Sequence, residues 1–581
     1  RSEGNRGSAA MKLRSDAWLS GDDEVALDAR VALAMGGQSV SAKGGVPIIG
    51  IANSASDLNP CNQPLNDLIP SIRAGVASAG GVAVEFPVMS LGEDLMKPAA
   101  MLYRNLVAME VEESLRSQPL DAVIVLAACD KSVPAALMGA LSTNLPTLLL
   151  TSGPRPSAHF QGHRVGTGTD LWRLWESRRA GKVSDEEWAQ FEISLTLGRG
   201  TCNTMGTAST MGALAETLGL AWPGATSVPA GDDRHLGYAR DVGERIVTMV
   251  KEDITPASTI SRSAFLNAAA VLSAIGGSTN AVIHLTALAR RLGVAFNLDD
   301  VDGAGRSTPV LVDIEPTGAG LMEDFDVAGG TPSLWRALGD KLDGDVVMAD
   351  GRTMAAWAKD AAVSGEVIRS LEDPVDASGA FRVVYGNLAP DGALIKRCAA
   401  TPELLVHRGP ALVMRSSQDV TSVTSSEDEI DPTSILVLAG AGPVGGPGMP
   451  EWGMVSLPKS VLRAGVSDMV RVTDARMSGT SFGTVYLHVA PEAAVGGALG
   501  LVESGDMINV DADAGTIDLE VDEPELSRRR ERTVWNVPSS RGYQAMYLAH
   551  VQQAPEGCDF DFLAGSPGVT PRLEEPVVGR S

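Results

Sequence analysis

The stretch from Asp121 to Thr151 constrains this chain more than any other. Asp121–Ala128 (DAVIVLAA) is a continuous apolar run of strand length, Val133–Leu141 (VPAALMGAL) reads as a helix, and Pro146–Thr151 (PTLLLT) is a second apolar run. Runs that are apolar at every position, instead of alternating, suit strands buried on both faces. A strand, a helix and a strand in close succession form a right-handed β-α-β unit, which commits the region to a parallel sheet covered by helices. Val46–Asn53 (VPIIGIAN) reads as another such strand. Ligands of open parallel sheets bind beyond the carboxyl ends of the strands, and Cys61 and Cys129 fall there.

Farther along, Thr207–Leu218 reads as an alanine-rich helix, and Ser263–Leu292 as helix on both sides of the break Gly276-Gly277-Ser278-Thr279-Asn280. From about residue 380 the pattern changes to short strands separated by Gly, Pro and Asp: FRVVYG, ALVMR, ILVLAG, DMVRVTD, TVYLHV, DMINVDA and TIDLEV. The expected fold class is therefore α/β. An N-terminal α/β/α domain with a parallel sheet spans residues 1–379, and a mostly-β barrel or sandwich spans 380–581. A chain of 581 residues exceeds what one core supports, which agrees with two domains. Thr421–Asp431 (TSVTSSEDEID) is expected to be a solvated loop, and Arg1–Ala10 a disordered extension.

The formal net charge of −25 argues against nucleic acid or an anionic membrane as partner, while leaving room for a small carboxylate. No apolar run approaches the ~20 residues that span a bilayer, and no signal-peptide pattern opens the chain. Five scattered cysteines, an odd number, make no disulfide framework, so a reducing cytoplasm is the expected location.

Most free cysteines are small buried hydrophobes, and Cys398 and Cys558 fit that description. Cys61 in NPCNQP, Cys129 in AACDKS and Cys202 in GTCNTMG differ, because turn formers and polar residues flank each. Separations of 68 and 73 positions exclude a local knuckle or CxxC motif, so spacing alone leaves a shared metal site open. Three thiolates would hold an iron–sulfur cluster one short of the usual four, leaving an iron free to act as a Lewis acid. Asp130, beside Cys129, and Glu93, in the loop MSLGED, are hard ligands for a divalent cation or else members of surface ion pairs. Lys131 would be repelled by such a cation unless displaced, deprotonated or converted to an anionic carbamate. Glu451, after the glycine-rich run Gly440–Gly453, reads equally as a metal ligand or a helix-start carboxylate. Ser478, in the turn Met477-Ser478-Gly479-Thr480, has the setting of a nucleophile or base, and also of an ordinary hairpin turn. His488 reads as a packed core histidine.

Together these segments resemble the IlvD/Edd family of dehydratases over about Ile48 to Leu563. The markers are Pro60-Cys61-Asn62, Cys129-Asp130-Lys131, TCNTMGTASTM (Thr201–Met211), GGSTNAVIHL (Gly276–Leu285), PGMPE (Pro447–Glu451), DARMSGT (Asp474–Thr480) and APEAAVGG (Ala490–Gly497). The resemblance implies an iron–sulfur cluster on Cys61, Cys129 and Cys202, with [2Fe–2S] favoured over [4Fe–4S]. It implies a magnesium ion held by Glu93, Asp130, carbamylated Lys131 and Glu451. It also implies Ser478 as the alkoxide base, Thr480 as a substrate contact, and a homodimer or homotetramer. DARMSGT in place of DGRFSGG looks most like the sugar-acid branch near the L-arabinonate dehydratases. The expected activity is that of a hydro-lyase converting an aldonate to its 2-keto-3-deoxy acid. A dihydroxy-acid dehydratase of branched-chain amino-acid synthesis and a non-catalytic iron–sulfur protein are the rivals. Gln63-Pro64 departs from the family's usual pair and bears on substrate choice if it touches substrate.

Overall fold

The computed structural model describes residues 13–565 apart from 39, 42, 197, 364, 536 and 538–540, so the expected extension Arg1–Ala10 lies outside the described residues. Strands β1 (Ile48–Asn53), β2 (Val82–Pro87), β3 (Ala122–Leu126) and β4 (Thr147–Leu150) form an all-parallel sheet in the order β2-β1-β3-β4. β1, β3 and β4 are buried at every residue, whereas edge strand β2 is only partly covered. The cause lies in the layers on either side. Val123 and Val125 of β3 pack into the core that holds Val107, Val111, Leu137 and Leu141, from helices Arg104–Ser117 and Ser132–Ser142. Ile124 and Leu126 point the other way, toward Ile72, Val76, Val242 and Ile246 of helices Ile69–Ser78 and Arg234–Lys251. Gly139 lets its helix approach the neighbouring one, since a Cβ there would collide with the Ala108 carbonyl. A small hairpin, β5 (Ala158–Phe160) with β6 (His163–Val165), follows β4.

The second half is a single sheet of eight strands. They are β7 (Phe381–Val384), β8 (Gly392–Lys396), β9 (Val406–Met414), β10 (Ile435–Leu438), β11 (Arg471–Thr473), β12 (Val485–Ala490), β13 (Met507–Asp511) and β14 (Thr516–Leu519). Their order is β14-β13-β9-β10-β11-β12-β8-β7. Just past β7, the Tyr385 N–H donates to Gly515 O (2.9 Å) and the Ile517 N–H donates to Tyr385 O (3.0 Å). The two edges therefore meet, and the sheet is a nearly closed barrel. β8 lies in PDGALIKR, where the brevity of the run hides it from pattern reading. The expected loop at Thr421–Asp431 is corrected in its first part, because a helix covers Ser417–Ser425. Ser416 caps it by accepting from the Asp419 N–H, which outweighs the weak helix preference of Ser and Thr.

The end of the described chain returns to the first half. Arg291, 1% exposed, donates through Nε and Nη2 to both oxygens of fully buried Asp559 (2.6 and 3.0 Å) and through Nη1 to Glu112 (3.1 Å). Arg104, also fully buried, donates to the carbonyls of Gly557 (2.7 Å) and Cys558 (2.9 Å). Among the described residues no helix is long and apolar enough to cross a membrane. Removing one partner of a buried ion pair strands the other. Arg291→Met should therefore cost about 3–5 kcal/mol and lower the thermal unfolding midpoint measurably. An unchanged midpoint would show that Asp559 is not held by this pair.

Candidate active site

Two loops at the carboxyl ends of parallel strands, and a third segment that docks against them, build the site. Cys61 lies in the turn after β1, Cys129 just beyond β3, and Cys202 in the segment leading to helix Thr207–Thr217. Asn62, fully buried, joins the first two. Its Oδ1 accepts from the N–H groups of Ala128 (3.0 Å) and Cys129 (2.9 Å). Its Nδ2 donates to Ser54 Oγ (3.0 Å), Ser90 Oγ (3.0 Å) and Ser132 Oγ (2.9 Å). The turn after β4 docks the third loop. There Ser152 Oγ donates to Cys61 O (2.7 Å) and the Thr201 N–H donates to Gly153 O (3.0 Å). Gly153 has φ +77°, and a Cβ there would collide with the Val228 carbonyl, so glycine is required.

The loops open on one cavity of about 350 Å³. Its wall includes Cys61, Cys129, Cys202, Glu93, Asp130, Glu451, Ser478 and Thr480. Of the expected cluster ligands, magnesium ligands and base-turn residues, Lys131 alone does not line the wall; it is fully buried beside the carboxylates. Gln63 and Pro64 are not on the wall either, and the Gln63 Oε1 accepts from Arg199 (2.7 Å).

The Lys131 ammonium sits 2.6 Å from Asp130 Oδ2, 3.3 Å from Glu451 Oε1 and 3.7 Å from Glu93 Oε2. Arg476, fully buried in the turn after β11, donates from Nη1 to Glu451 Oε1 (2.8 Å) and holds Nη2 3.8 Å from Glu93 Oε1. Asn280, at the start of helix Asn280–Arg291, donates from Nδ2 to the same Glu451 oxygen (2.6 Å). Burial pushes the Glu93 carboxyl up to about 7 against the pull of Lys131, with Glu451 and Asp130 adding to the rise. Burial also disfavours the Glu451 carboxylate, but Lys131 and Arg476 outweigh it and leave that group below the ordinary range. For Lys131 itself burial disfavours the charge, and the three carboxylates more than offset this.

Hard oxygen donors in this number suit a magnesium ion, and one of them is unsatisfied, since the buried Glu93 Oε2 accepts no hydrogen bond. Among the described residues no three Asp, Glu, His or Cys side chains close around a single ion as they stand, and the Lys131 ammonium holds the centre of the acidic ring. A carbamate at Lys131 would reverse that charge and add oxygen donors. The thiols have the chemistry of soft-metal ligands. The Cys129 thiol is raised well above its ordinary value, first by its hydrogen bond with Cys61 and then by burial. Burial pushes Cys202 up to about 12, with Cys61 contributing. Such thiols stay protonated unless a metal supplies the compensating charge.

Ser478 faces the cavity from the turn after β11, with Oγ 3.1 Å from Thr480 Oγ1. The turn is wedged in place: a Cβ on Gly479 would strike Thr207 and Ser278, one on Gly168 would strike Thr480, and Thr169 Oγ1 donates to Thr480 O (3.1 Å). His488 in β12 is buried, and burial together with Arg476 pushes it down to about 3, so the ring is neutral. Asn62, Asn280 and Arg476 lie inside the motifs that mark the chain, yet sequence reasoning gave them no role. The available signal was an amide or charged residue beside the cysteine, glycine or serine of a turn between apolar elements.

Comparisons with known proteins match nearly the whole chain. A model described as dihydroxy-acid/6-phosphogluconate dehydratase N-terminal matches residues 46–357, and its C-terminal counterpart matches residues 366–558. The chain is 43% identical to a 6-deoxy-6-sulfo-D-gluconate dehydratase of Pseudomonas putida, covering 96% of this chain and 97% of the relative. It is 44% identical to an L-arabinonate dehydratase of Rhizobium leguminosarum, covering 96% and 97%. It is 37% identical to a dihydroxy-acid dehydratase of Moorella thermoacetica, covering 88% and 94%.

Because Asn62 satisfies two buried N–H groups across two loops, Asn62→Ala should destabilise the metal-free protein by on the order of 3 kcal/mol in denaturant unfolding. A loss below about 1 kcal/mol would mean that the loops do not depend on it.

Proposed function

The chain belongs to the dihydroxy-acid/6-phosphogluconate dehydratase family, and from that premise we propose that it dehydrates a sugar acid to its 2-keto-3-deoxy acid. The substrate is an aldonate such as L-arabinonate, D-xylonate or a hexonate. The observation that carries the reading is the single cavity on which three thiols, three carboxylates and the Ser478–Thr480 turn converge. Identities of 43% and 44% to dehydratases of sugar acids, against 37% to a dihydroxy-acid dehydratase, favour the sugar-acid branch.

Cys61, Cys129 and Cys202 would hold the iron–sulfur cluster, with [2Fe–2S] favoured, and Glu93, Asp130, carbamylated Lys131 and Glu451 would hold magnesium. When bound, these groups supply Lewis acidity at the departing C3 hydroxyl and at the substrate carboxylate and C2 hydroxyl. The protein's own part is to place a base and keep the acidic ring in shape. Ser478 takes the C2 proton at Oγ, which requires positive charge nearby to favour its alkoxide. Thr480, 3.1 Å away, orients that oxygen. Arg476 and Asn280 hold Glu451 from behind, so its carboxylate cannot swing out of the ring. With the C2 proton and the C3 hydroxide gone, the enol that remains tautomerises to the keto acid.

Anaerobically purified protein assayed on pentonates, hexonates and 2,3-dihydroxyisovalerate should form keto acid fastest from an aldonate. Turnover of 2,3-dihydroxyisovalerate alone would overturn the substrate assignment. Ser478→Ala should keep the visible absorbance of the cluster and lose roughly 10²- to 10⁴-fold in kcat. Near-normal turnover would remove Ser478 from the mechanism. Serine in place of Cys61, Cys129 or Cys202 should abolish that absorbance, and an unchanged spectrum would exclude the cysteine concerned.

A further inference from the structure

Two tryptophans on the cavity wall, Trp172 and Trp452, have no part in the reaction described above. Trp172 is 36% exposed and Trp452 is 53% exposed, whereas Lys131 is wholly buried and the Glu451 side chain is only 13% exposed. A wall residue as open as these stands where the cavity meets solvent, so the indoles mark the mouth and the acidic ring marks the inner end. Three tryptophans stand exposed among the described residues, and the third, Trp175, packs on Trp188 with ring centroids 5.6 Å apart. Trp172 and Trp452 stack on no aromatic ring and lie under no cation among the described residues.

Each ring is mounted one step outward from a group of the reacting end. Trp452 follows Glu451, so their Cα atoms are about 3.8 Å apart. The Gly453 N–H donates to Arg476 O (2.8 Å), which fixes the backbone on the other side of Trp452. Trp172 lies in helix Thr169–Arg179, three positions after Thr169 and so on the same face, about 4.5 Å along the axis. Thr169 is the residue whose hydroxyl donates to Thr480 O (3.1 Å) in the Ser478 turn. At the far end of that helix Arg179 donates to Leu457 O (3.0 Å) and Thr424 O (2.7 Å), so the helix is tied down at both ends. Both indoles therefore rise from fixed backbone. The face of an indole is the negative pole of its quadrupole, which attracts C–H groups and repels a carboxylate. A sugar acid therefore enters with its carboxylate inward and lays the rest of its carbon chain against the rings.

We propose that Trp172 and Trp452 are the residues that read the length of the substrate, packing their faces on the C–H groups of the chain beyond C3. An acid that ends at C4 leaves the rings in water and forgoes that contact. The inference rests on the sugar-acid reading above and assigns its discrimination between long and short acids to two side chains that touch neither metal ligands nor the base.

The test takes the pentonate or hexonate that the holoenzyme turns over best and the tetronate of the same configuration at C2 and C3. Both are assayed with the wild type, Trp172→Ala, Trp452→Ala and the two corresponding Phe variants. The wild type should show the higher kcat/KM for the longer acid, mainly through a lower KM. Each Ala variant should lower the long-to-short ratio of kcat/KM by roughly 5- to 30-fold with cluster absorbance intact, and each Phe variant should keep most of it. A wild type indifferent to length, or a ratio unchanged in either Ala variant, overturns the inference and leaves the dehydratase reading standing. An equal fall in kcat for both acids overturns it too, because the rings would then shape the reacting end. Failure to turn over any pentonate or hexonate would defeat the sugar-acid reading itself.

Discussion

Two cations with no solvent exposure, Lys131 and Arg476, can persist at this depth only because carboxylates from both halves of the chain converge on them. Lys131, Asp130 and Glu93 come from loops of the parallel sheet, and Arg476 and Glu451 from turns of the barrel. An isolated buried charge costs several kcal/mol, so the halves pack in the register that pairs these groups. The cavity between them follows from that register. It is roofed by the Ser478 turn because Arg476 lies two residues earlier on the same strand exit, and it is floored by the cysteine loops because Asp130 and Lys131 follow Cys129 directly.

The same economy links the thiols. Asn62 follows Cys61, and its amide organises the backbone at Cys129, so one buried side chain sets two of the three thiol positions. Ser152 and Gly153 do the same for Cys61 and Cys202. Each positioning residue is small, neutral and fully enclosed, which leaves the cavity surface to groups that can meet a metal or a substrate.

The parallel sheet was legible because its central strands are apolar at every position, a pattern that few other structures tolerate. Most barrel strands were legible from spacing and turn residues, whereas the apolar part of β8 is only Ala393–Ile395, set between Pro-Asp-Gly and Lys-Arg, and the Ser417–Ser425 helix is too polar to stand out. Of the site, the cysteines, acids and serine could be singled out by residue type and neighbours, but not their convergence. The cysteines lie 68 and 73 positions apart, and no local periodicity encodes contacts at that range. Arg476 and Asn280 were hidden for a different reason. Their importance comes from burial beside Glu451, which only the folded arrangement reveals.

The proposed dehydration depends most on a metal centre held by three thiols with one iron left for the substrate. Mössbauer spectroscopy of ⁵⁷Fe-loaded protein, with and without an aldonate that it turns over, tests this directly. Addition of the aldonate should shift the signal of one iron and leave the rest of the cluster unchanged. Identical spectra under saturating substrate, with turnover proceeding, would contradict the account.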